Sequence, residues 1–139
     1  MLTHYTNKNI IMNESKQVII WRHDLKIRKG KSMAQAAHAS WGAGLSNAER
    51  KDNKIIIDLS DGYVKSWFEH RFKKVVVYCP GEKELVEIYN QAKEAGLPCA
   101  LITDAGLTEF NGVPTKTCVG IGPADPDEID KITGNLPLY

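Results

Sequence analysis

The stretch KQVIIWRHDLKIRKGKSMAQAAHASWGAG, which runs from Lys16 to Gly44, decides the fold. Its first seven residues contain a β-branched run that predicts a strand, and residues 31–44 are an alanine-rich stretch that predicts a helix. A basic loop joins the two elements. Strands that alternate with helices are typical of two-layer and three-layer α/β proteins, so this stretch favours an α/β fold.

The alternation of strands and helices continues along the chain. The further predicted elements are, in order, a brief strand at 55–57, a helix at 61–72, a strand at 74–79, a helix at 82–95, strands at 99–103 and 117–121, and a short helix at 127–132. Crossover connections require some parallel pairs, whereas the loop at 104–114 allows one antiparallel pair. We therefore expect a four-stranded mixed β-sheet with helices on both faces.

Length and composition favour a single domain. The chain has 139 residues, of which 42% are hydrophobic and 25% are charged, which suits one buried core. We assign residues 16–139 to this domain and expect residues 1–15 to form a disordered or frayed N-terminal segment. No segment approaches the roughly 18 continuous apolar residues of a membrane span, so we expect no membrane association.

The three cysteines point to a reducing environment. Cys79, Cys99 and Cys118 are widely separated, and each lies in an apolar, strand-like stretch. Without a CxxC pair or a His/Cys spacing suited to zinc, they predict reduced core thiols in a cytoplasmic protein and no metal site.

Two clusters of basic residues stand out against a formal net charge of only +1. The loop cluster consists of Lys26, Arg28, Lys29 and Lys31. The second cluster consists of Arg71, Lys73 and Lys74. Either could neutralise phosphates, and either could equally be a solvated cationic surface. A nucleic-acid partner would have to be held by such local clusters, because the whole molecule is nearly neutral.

Three polar side chains share one face of the first predicted helix. Lys31, Gln35 and His38 lie at positions i, i+4 and i+7, which a helix of 3.6 residues per turn brings into line. The alanines between them allow close packing against a neighbouring element. A polar row on a thin alanine surface indicates a candidate site.

A second group of polar residues follows a later strand. Asp104 ends the predicted strand at 99–103, at the position where α/β sheets bind ligands, and Thr108 and Thr117 supply hydroxyl groups. Together with His38 as a base and Lys31 as a cation, these residues suit hydrolysis of a carbonyl compound by water.

Other catalytic classes fit poorly. A phosphate-binding loop requires a glycine where Leu25 stands, and the residues before Gly30 are too bulky to wrap a phosphate. No GxSxG elbow exists, and the thiols lie in apolar stretches.

Nine short motifs, in order, carry a family resemblance. They are Lys16–Ile20, Asp24–Lys26, Gly30-Lys31, Ala34-Gln35, Ala37–Ala39, Ala95–Pro98, Asp104–Thr108, Ile121–Pro123 and Ile129–Leu138. From Lys16 onward the chain thereby resembles the archaeal and eukaryotic type of peptidyl-tRNA hydrolase, which also has bacterial and phage relatives.

The resemblance implies hydrolysis of the ester between a peptide and the 3′ ribose of tRNA. It also implies a small mixed-sheet α/β fold, no cofactor and, in many members, a homodimer. By position, it places the catalytic site at Lys31, His38, Asp104, Thr108 and Thr117.

A hypothesis for the mechanism follows from that placement. Asp104 or His38 positions the attacking water, and Lys31 with Thr117 stabilises the oxyanion. Peptidyl-tRNA would be held by Lys26, Arg28, Lys29, Gln35, Arg71, Lys73 and Lys74.

Departures from the family pattern leave alternatives open. Tyr78 stands where a lysine often closes the strand, and Leu107 stands where many members have arginine. The first alternative is a noncatalytic tRNA- or partner-binding module on the same fold. The second is a hydrolase that acts on another carbonyl substrate and does not depend on the basic clusters.

Overall fold

The computed structural model describes residues 14–139. Residues 1–13 of the predicted frayed segment lie outside the described residues. The two remaining residues of that segment pack on the domain. Ser15 is 1% exposed and donates a hydrogen bond to the Tyr63 carbonyl oxygen at 2.7 Å, and Glu14 forms an ion pair with Arg71.

Strands and helices alternate over the described residues. The elements are β1 (Lys16–Arg22), α1 (Lys29–Gly44), β2 (Glu49–Lys51), β3 (Lys54–Ile56), α2 (Gly62–Glu69), β4 (Lys74–Cys79), α3 (Glu82–Glu94), β5 (Cys99–Asp104), β6 (Thr115–Ala124) and α4 (Pro126–Thr133). The elements that the sequence predicts from residue 16 onward are confirmed, with ends that shift by a few residues.

The main sheet has four strands in the order β4-β1-β6-β5. β1 and β4 are parallel, while β6 runs antiparallel to both β1 and β5. The mixed sheet is confirmed, with two antiparallel pairs where the loop at 104–114 predicted one. Because β1, β4 and β5 point the same way, all three end at one edge of the sheet, which we call the carboxyl edge, and begin at the opposite amino edge.

Helices cover both faces of this sheet, as predicted. On one face, Leu85 and Ile88 of α3 and Ile129 of α4 pack on the central strands. On the other face, α1 packs through Ala39. A Cβ at Gly120 of β6 would collide with the Ala39 carbonyl, so this glycine permits the close approach of α1 to the sheet.

The weakly patterned middle of the chain forms a small hairpin and a short helix. β2 and β3 pair with each other and not with the main sheet. Their turn holds Asp52 and Asn53 at φ 53° and 59°, as a type I′ turn requires. The sequence predicted a strand near β3 but missed β2, because Glu49–Lys51 is entirely charged and has no apolar alternation. The predicted helix at 61–72 ends early, at Glu69.

The C-terminal tail packs on its own sheet. The backbone N–H of Tyr78 donates to the Pro137 carbonyl at 3.1 Å, and that of Tyr139 donates to the Val76 carbonyl at 3.0 Å. The tail therefore covers the outer edge of β4, which would otherwise be an unpaired strand edge. Between residues 14 and 139, no helix has the length and apolar character needed to cross a membrane.

All three cysteines are free thiols, as predicted. Cys79 and Cys118 are buried, whereas Cys99 is partly exposed. Burial raises the pKa of Cys79 to about 11 and that of Cys118 to about 12. These two thiols stay protonated at neutral pH and are unsuited to nucleophilic catalysis.

Candidate active site

Lys31 and Asp104 meet at the carboxyl edge, although they are 73 residues apart in the chain. Lys31 lies in the first turn of α1, and Asp104 is the last residue of β5. The Lys31 ammonium donates hydrogen bonds to Asp104 Oδ1 at 2.9 Å and to Thr108 Oγ1 at 3.0 Å. The Lys31 and Asp104 side chains are 19% and 13% exposed. The hydrogen bonds therefore fix the geometry of the Lys31–Asp104 pair, and both side chains remain partly accessible to solvent.

Gln35 links this pair to the interior. Its Nε2 donates to Asp104 Oδ1 at 3.2 Å, and its Oε1 accepts a hydrogen bond from the Thr117 hydroxyl at 2.7 Å. Gln35 is 2% exposed and Thr117 is fully buried. A continuous hydrogen-bond chain therefore runs from Thr117 through Gln35 to Asp104.

A β-bulge in β6 orients the Thr117 side chain toward Gln35. Ile102 pairs with Cys118, but the next residue of β5, Thr103, pairs with Lys116. Thr117 is the extra residue, and the irregularity frees it from strict alternation between the two faces. Both Thr117 and Cys118 consequently contact Gln35. The Thr117 hydroxyl donates to the side-chain oxygen of Gln35, and the Cys118 thiol donates to its backbone carbonyl.

The turn after β5 supplies a donor that sequence reasoning missed. The Gly106 N–H donates to Asp104 Oδ2 at 2.8 Å. Gly106 has φ +82°, and a Cβ there would collide with the Val113 backbone. The Asp-Ala-Gly spacing was the available signal, since an aspartate often accepts a hydrogen bond from the N–H two residues later.

These contacts determine the charge of Asp104. The hydrogen bond from Lys31, followed by that from Gly106, lowers the pKa of the Asp104 carboxyl below its ordinary value. The carboxylate is therefore ionised at neutral pH and faces an ammonium group.

His38 is not part of this network. It shares the α1 face with Lys31 and Gln35, as predicted, but two turns of helix separate it from Lys31, about 10 Å along the axis. His38 is exposed, and its imidazole makes no hydrogen bond with any residue that the structure describes.

The loop cluster lies beside the network at the carboxyl edge. Lys26 and Lys29 are exposed and form no ion pair within residues 14–139. Arg28 Nε contacts Glu109 Oε1 at 2.9 Å, but 87% of the Arg28 side chain remains exposed. Lys26, Ile27, Arg28 and Glu109 line an open depression of about 490 Å³. Glu109 directly follows Thr108, the second partner of Lys31, so this depression lies beside the Lys31–Asp104 pair.

The second cluster lies at the opposite edge of the sheet. Lys74 begins β4 beside Gln17 of β1, whereas α1 begins after the other end of β1. The seven residues of β1 separate the two clusters by about 20 Å. Arg71 pairs with Glu14 at 3.1 Å, and the Lys74 ammonium lies 3.3 Å from the centre of the Phe72 ring. Lys73 is exposed.

A second, apolar groove lies away from the polar network. It has a volume of about 490 Å³ and lies between α1 and α2, where Trp41, Phe68 and Phe72 are among its lining residues. The described residues contain no group of three or more His, Cys, Asp or Glu side chains that could hold a metal ion.

Known proteins resemble this chain over nearly its whole described length. A family model described as peptidyl-tRNA hydrolase PTH2 matches residues 15–139. A peptidyl-tRNA hydrolase of Methanopyrus kandleri is 47% identical over 123 residues, which cover 88% of this chain and 97% of that protein. Those of Methanocaldococcus jannaschii and Thermococcus onnurineus are 45% and 42% identical; each alignment covers 88% of this chain, with 98% and 96% of the respective relative.

One solved structure supports the fold alone. A protein of unknown function from Agrobacterium tumefaciens strain C58 superposes with a TM-score of 0.52 at 16% identity, covering 92% of this chain and 99% of that one.

Proposed function

Because the chain belongs to the peptidyl-tRNA hydrolase PTH2 family, we propose that it hydrolyses the ester between a peptide and the 3′ ribose of tRNA. The observation that carries the proposal is the hydrogen-bonded pair of Lys31 and Asp104 at the carboxyl edge, which joins a fixed cation to an ionised carboxylate. Products of the reaction are a peptide with a free carboxylate and a tRNA with a free 3′ end. Nothing in the site favours the noncatalytic alternative.

Lys31 is the group that stabilises the oxyanion. When water attacks the ester carbonyl, negative charge develops on the carbonyl oxygen, and a preorganised ammonium lowers the free energy of that state. Asp104 and Thr108 already hold the ammonium in place, so little reorganisation is needed as the reaction proceeds.

Asp104 orients the attacking water. Oδ1 accepts hydrogen bonds from Lys31 and Gln35, while Oδ2 accepts one from Gly106. A carboxylate oxygen can accept two hydrogen bonds, so Oδ2 has room for one from water. His38 is a second candidate base, and its exposed position two turns along α1 gives it a role only if the substrate reaches that far.

Thr117 acts through Gln35 and not on the substrate. Its hydroxyl is fully buried and donates to Gln35, so it is unavailable to an oxyanion. We therefore replace the hypothesis that Thr117 stabilises the oxyanion with a positioning role: it sets the amide of Gln35 so that Nε2 faces Asp104.

The test of the function is release of N-acetylated amino acid from charged tRNA by the purified protein. Multiple turnovers would support the hydrolase. Tight binding of tRNA without release would support the noncatalytic module. Cleavage of simple esters with equal efficiency, and no preference for tRNA, would support a hydrolase for another carbonyl substrate.

Replacing Thr117 with valine tests the positioning role. The variant leaves Gln35 Oε1 buried without a donor, which should destabilise the fold by about 1–3 kcal/mol. We expect kcat to fall about tenfold with KM nearly unchanged, because Gln35 no longer holds Asp104. Thr117→Ser restores the hydroxyl and should recover kcat. If Thr117→Val loses stability but keeps kcat, the residue is merely structural.

The loop cluster is proposed to bind the phosphates of tRNA near the ester. Replacing Lys26 and Lys29 together with alanine should raise KM several-fold and reduce the salt dependence of KM, since each lost phosphate contact lowers the salt slope by about one. Arg71→Ala with Lys73→Ala is the comparison variant for the second cluster, which the sequence also assigns to tRNA, because it removes the same formal charge about 20 Å away at the amino edge. We expect a smaller rise in KM from this pair, since Arg71 is already paired with Glu14. Equal effects of the two pairs would mean that tRNA spans both edges.

A homodimer and a cytoplasmic location complete the proposal. The apolar groove between α1 and α2, with Trp41 and Met33 69% and 70% exposed nearby, supports a second copy as the partner of this face. Light scattering should give twice the chain mass for the wild type and the chain mass for Trp41→Lys. A monomeric wild type would contradict the dimer.

Peptidyl-tRNA arises at ribosomes, which supports a cytoplasmic location for the protein.

A further inference from the structure

Three aromatic side chains form a cluster at the carboxyl edge, outside the polar network; two of them are exposed and one, Tyr78, is half-buried. His23 follows β1, Tyr78 lies in β4, and Tyr139 ends the chain. The His23 and Tyr78 rings are 4.4 Å apart at an interplanar angle of 31°. Tyr139 lies nearly at right angles to His23, at 6.0 Å, and 5.9 Å from Tyr78. We call these three residues the aromatic cluster.

Main-chain hydrogen bonds fix the backbone that carries His23 and Tyr139, and both of these side chains remain exposed. The N–H of His23 donates to the Cys79 carbonyl, and the N–H of Tyr139 donates to the Val76 carbonyl. Tyr139 is nevertheless 63% exposed, and His23 is also exposed. Aromatic rings that pack on one another, as these do, and that stay open to solvent can stack on a ligand at low entropic cost.

The aromatic cluster and the Lys31–Asp104 pair lie at the same edge and on the same face of the sheet. Tyr78 and Ile102 both pack on the α1 face, and Asp104 lies two residues beyond Ile102 on β5. In the order β4-β1-β6-β5, three strand spacings, about 14 Å, separate Tyr78 from Ile102, and Asp104 lies about 7 Å further along β5. A few unpaired nucleotides can span that distance.

The loop that follows β1, a strand that lies between β4 and β5 in the sheet, carries exposed cations. Leu25 and Ile27 anchor the loop on the same core cluster, which leaves Lys26 and Lys29 exposed toward solvent. The carboxylate of Asp24 is held by Arg22 in two hydrogen bonds of 2.8 and 2.9 Å, which limits its repulsion of a phosphate. Aromatic rings next to unpaired lysines are the combination that binds single-stranded nucleic acid.

We propose that the aromatic cluster is a stacking subsite for the unpaired bases at the 3′ end of tRNA, while the ester of the terminal ribose lies at Lys31 and Asp104. This inference rests on the proposed function. The rings stack on bases without reading their hydrogen-bonding edges, and the lysines of the loop contact the phosphates between them. The subsite thereby fixes the distance from the last bases to the scissile bond.

Binding of a short RNA stem-loop with an unpaired ACCA 3′ end tests the subsite directly. A fluorescent cytidine analogue replaces one unpaired cytidine, and its quenching reports stacking. We expect His23→Ala and Tyr139→Ala each to raise Kd about tenfold and to reduce the quenching. Tyr139→Phe keeps the ring and should behave as the wild type. A blunt stem-loop without the unpaired end should bind all variants equally.

Hydrolysis assays separate this inference from the proposed function. With N-acetylaminoacyl-tRNA, the alanine variants should show a higher KM and a nearly unchanged kcat. Equal Kd, quenching and KM for wild type and both alanine variants would overturn the subsite while leaving the hydrolase intact. Absence of hydrolysis by the wild type would overturn the function, and the stem-loop binding would still decide whether the aromatic cluster stacks on bases. Unchanged thermal unfolding of His23→Ala excludes misfolding as the cause.

Discussion

Replacing Lys31 with alanine is expected to lower kcat for hydrolysis of N-acetylaminoacyl-tRNA by about a hundredfold to a thousandfold, the usual cost of removing one preorganised oxyanion donor. KM should change little, because the ammonium interacts most strongly with charge that exists only in the transition state. The measurement is steady-state kinetics at fixed salt, without added metal.

Lys16→Ala is the matched control for this variant. Lys16 also pairs with an aspartate, Asp130, at 2.7 Å, but it lies at the amino edge, the far end of β1 from the site. Both substitutions remove one lysine from one ion pair, so a nonspecific effect of charge would appear in both. Equal kcat values for the two variants would contradict the role of Lys31 in stabilising the oxyanion.

The fold was predictable wherever the hydrophobic period was clear. β4 was predicted at 74–79, and the structure has the same bounds. The prediction was possible because Val75, Val76 and Val77 form a continuous β-branched run, which favours a strand. β2 was not predictable from a charged triplet, and its pairing depends on the turn at Asp52 and Asn53. Strand order also escaped prediction, since it depends on which long-range pairs pack best.

The site was predictable in its members and not in its connections. The spacing of Lys31 and Gln35 predicted that they share one helix face, and the position of Asp104 at the end of a predicted strand marked it as a candidate site residue. The bulge that turns Thr117 toward Gln35 leaves no mark in the sequence, because one extra residue in β6 becomes visible only when β5 pairs with it. The same spacing also included His38, which the network does not use.

The placement of the basic clusters shows a further limit of sequence reasoning. Both clusters looked alike as runs of cations. Their separation follows from the parallel pairing of β1 and β4, which puts the start of β4 at the amino edge and the start of α1 at the carboxyl edge. Lys74 is exposed, but its ammonium lies over the Phe72 and Trp67 rings, and partial desolvation lowers its pKa.

Asp104→Asn should lower kcat by about a hundredfold to ten-thousandfold, the range for loss of a group that accepts a proton or a hydrogen bond from the attacking water. Asparagine keeps the size of the side chain but loses the charge that orients Lys31. Asp130→Asn, which removes the carboxylate of the Lys16 pair, is the matched control.

The pH profile distinguishes Asp104 from His38 as the group that activates water. The hydrogen bond from Lys31 lowers the pKa of Asp104 below its ordinary value, so its carboxylate is ionised over the whole range from pH 8 to pH 5. If Asp104 is the group, kcat of the wild type should show no loss between pH 8 and pH 5. A loss of kcat between pH 8 and pH 5 that disappears in His38→Ala would instead assign the role to His38.

The double variant of Lys31→Ala and Asp104→Asn completes this prediction. Each residue fixes the other, since the same 2.9 Å hydrogen bond holds the ammonium and lowers the carboxyl pKa. Residues that act as one unit have strongly non-additive effects, because the first substitution already disables the second residue. We therefore expect the double variant to be no slower than the slower single variant within about threefold. Multiplication of the two single effects would mean that Lys31 and Asp104 act on the substrate independently, and the hydrogen bond between them would then be dispensable for catalysis.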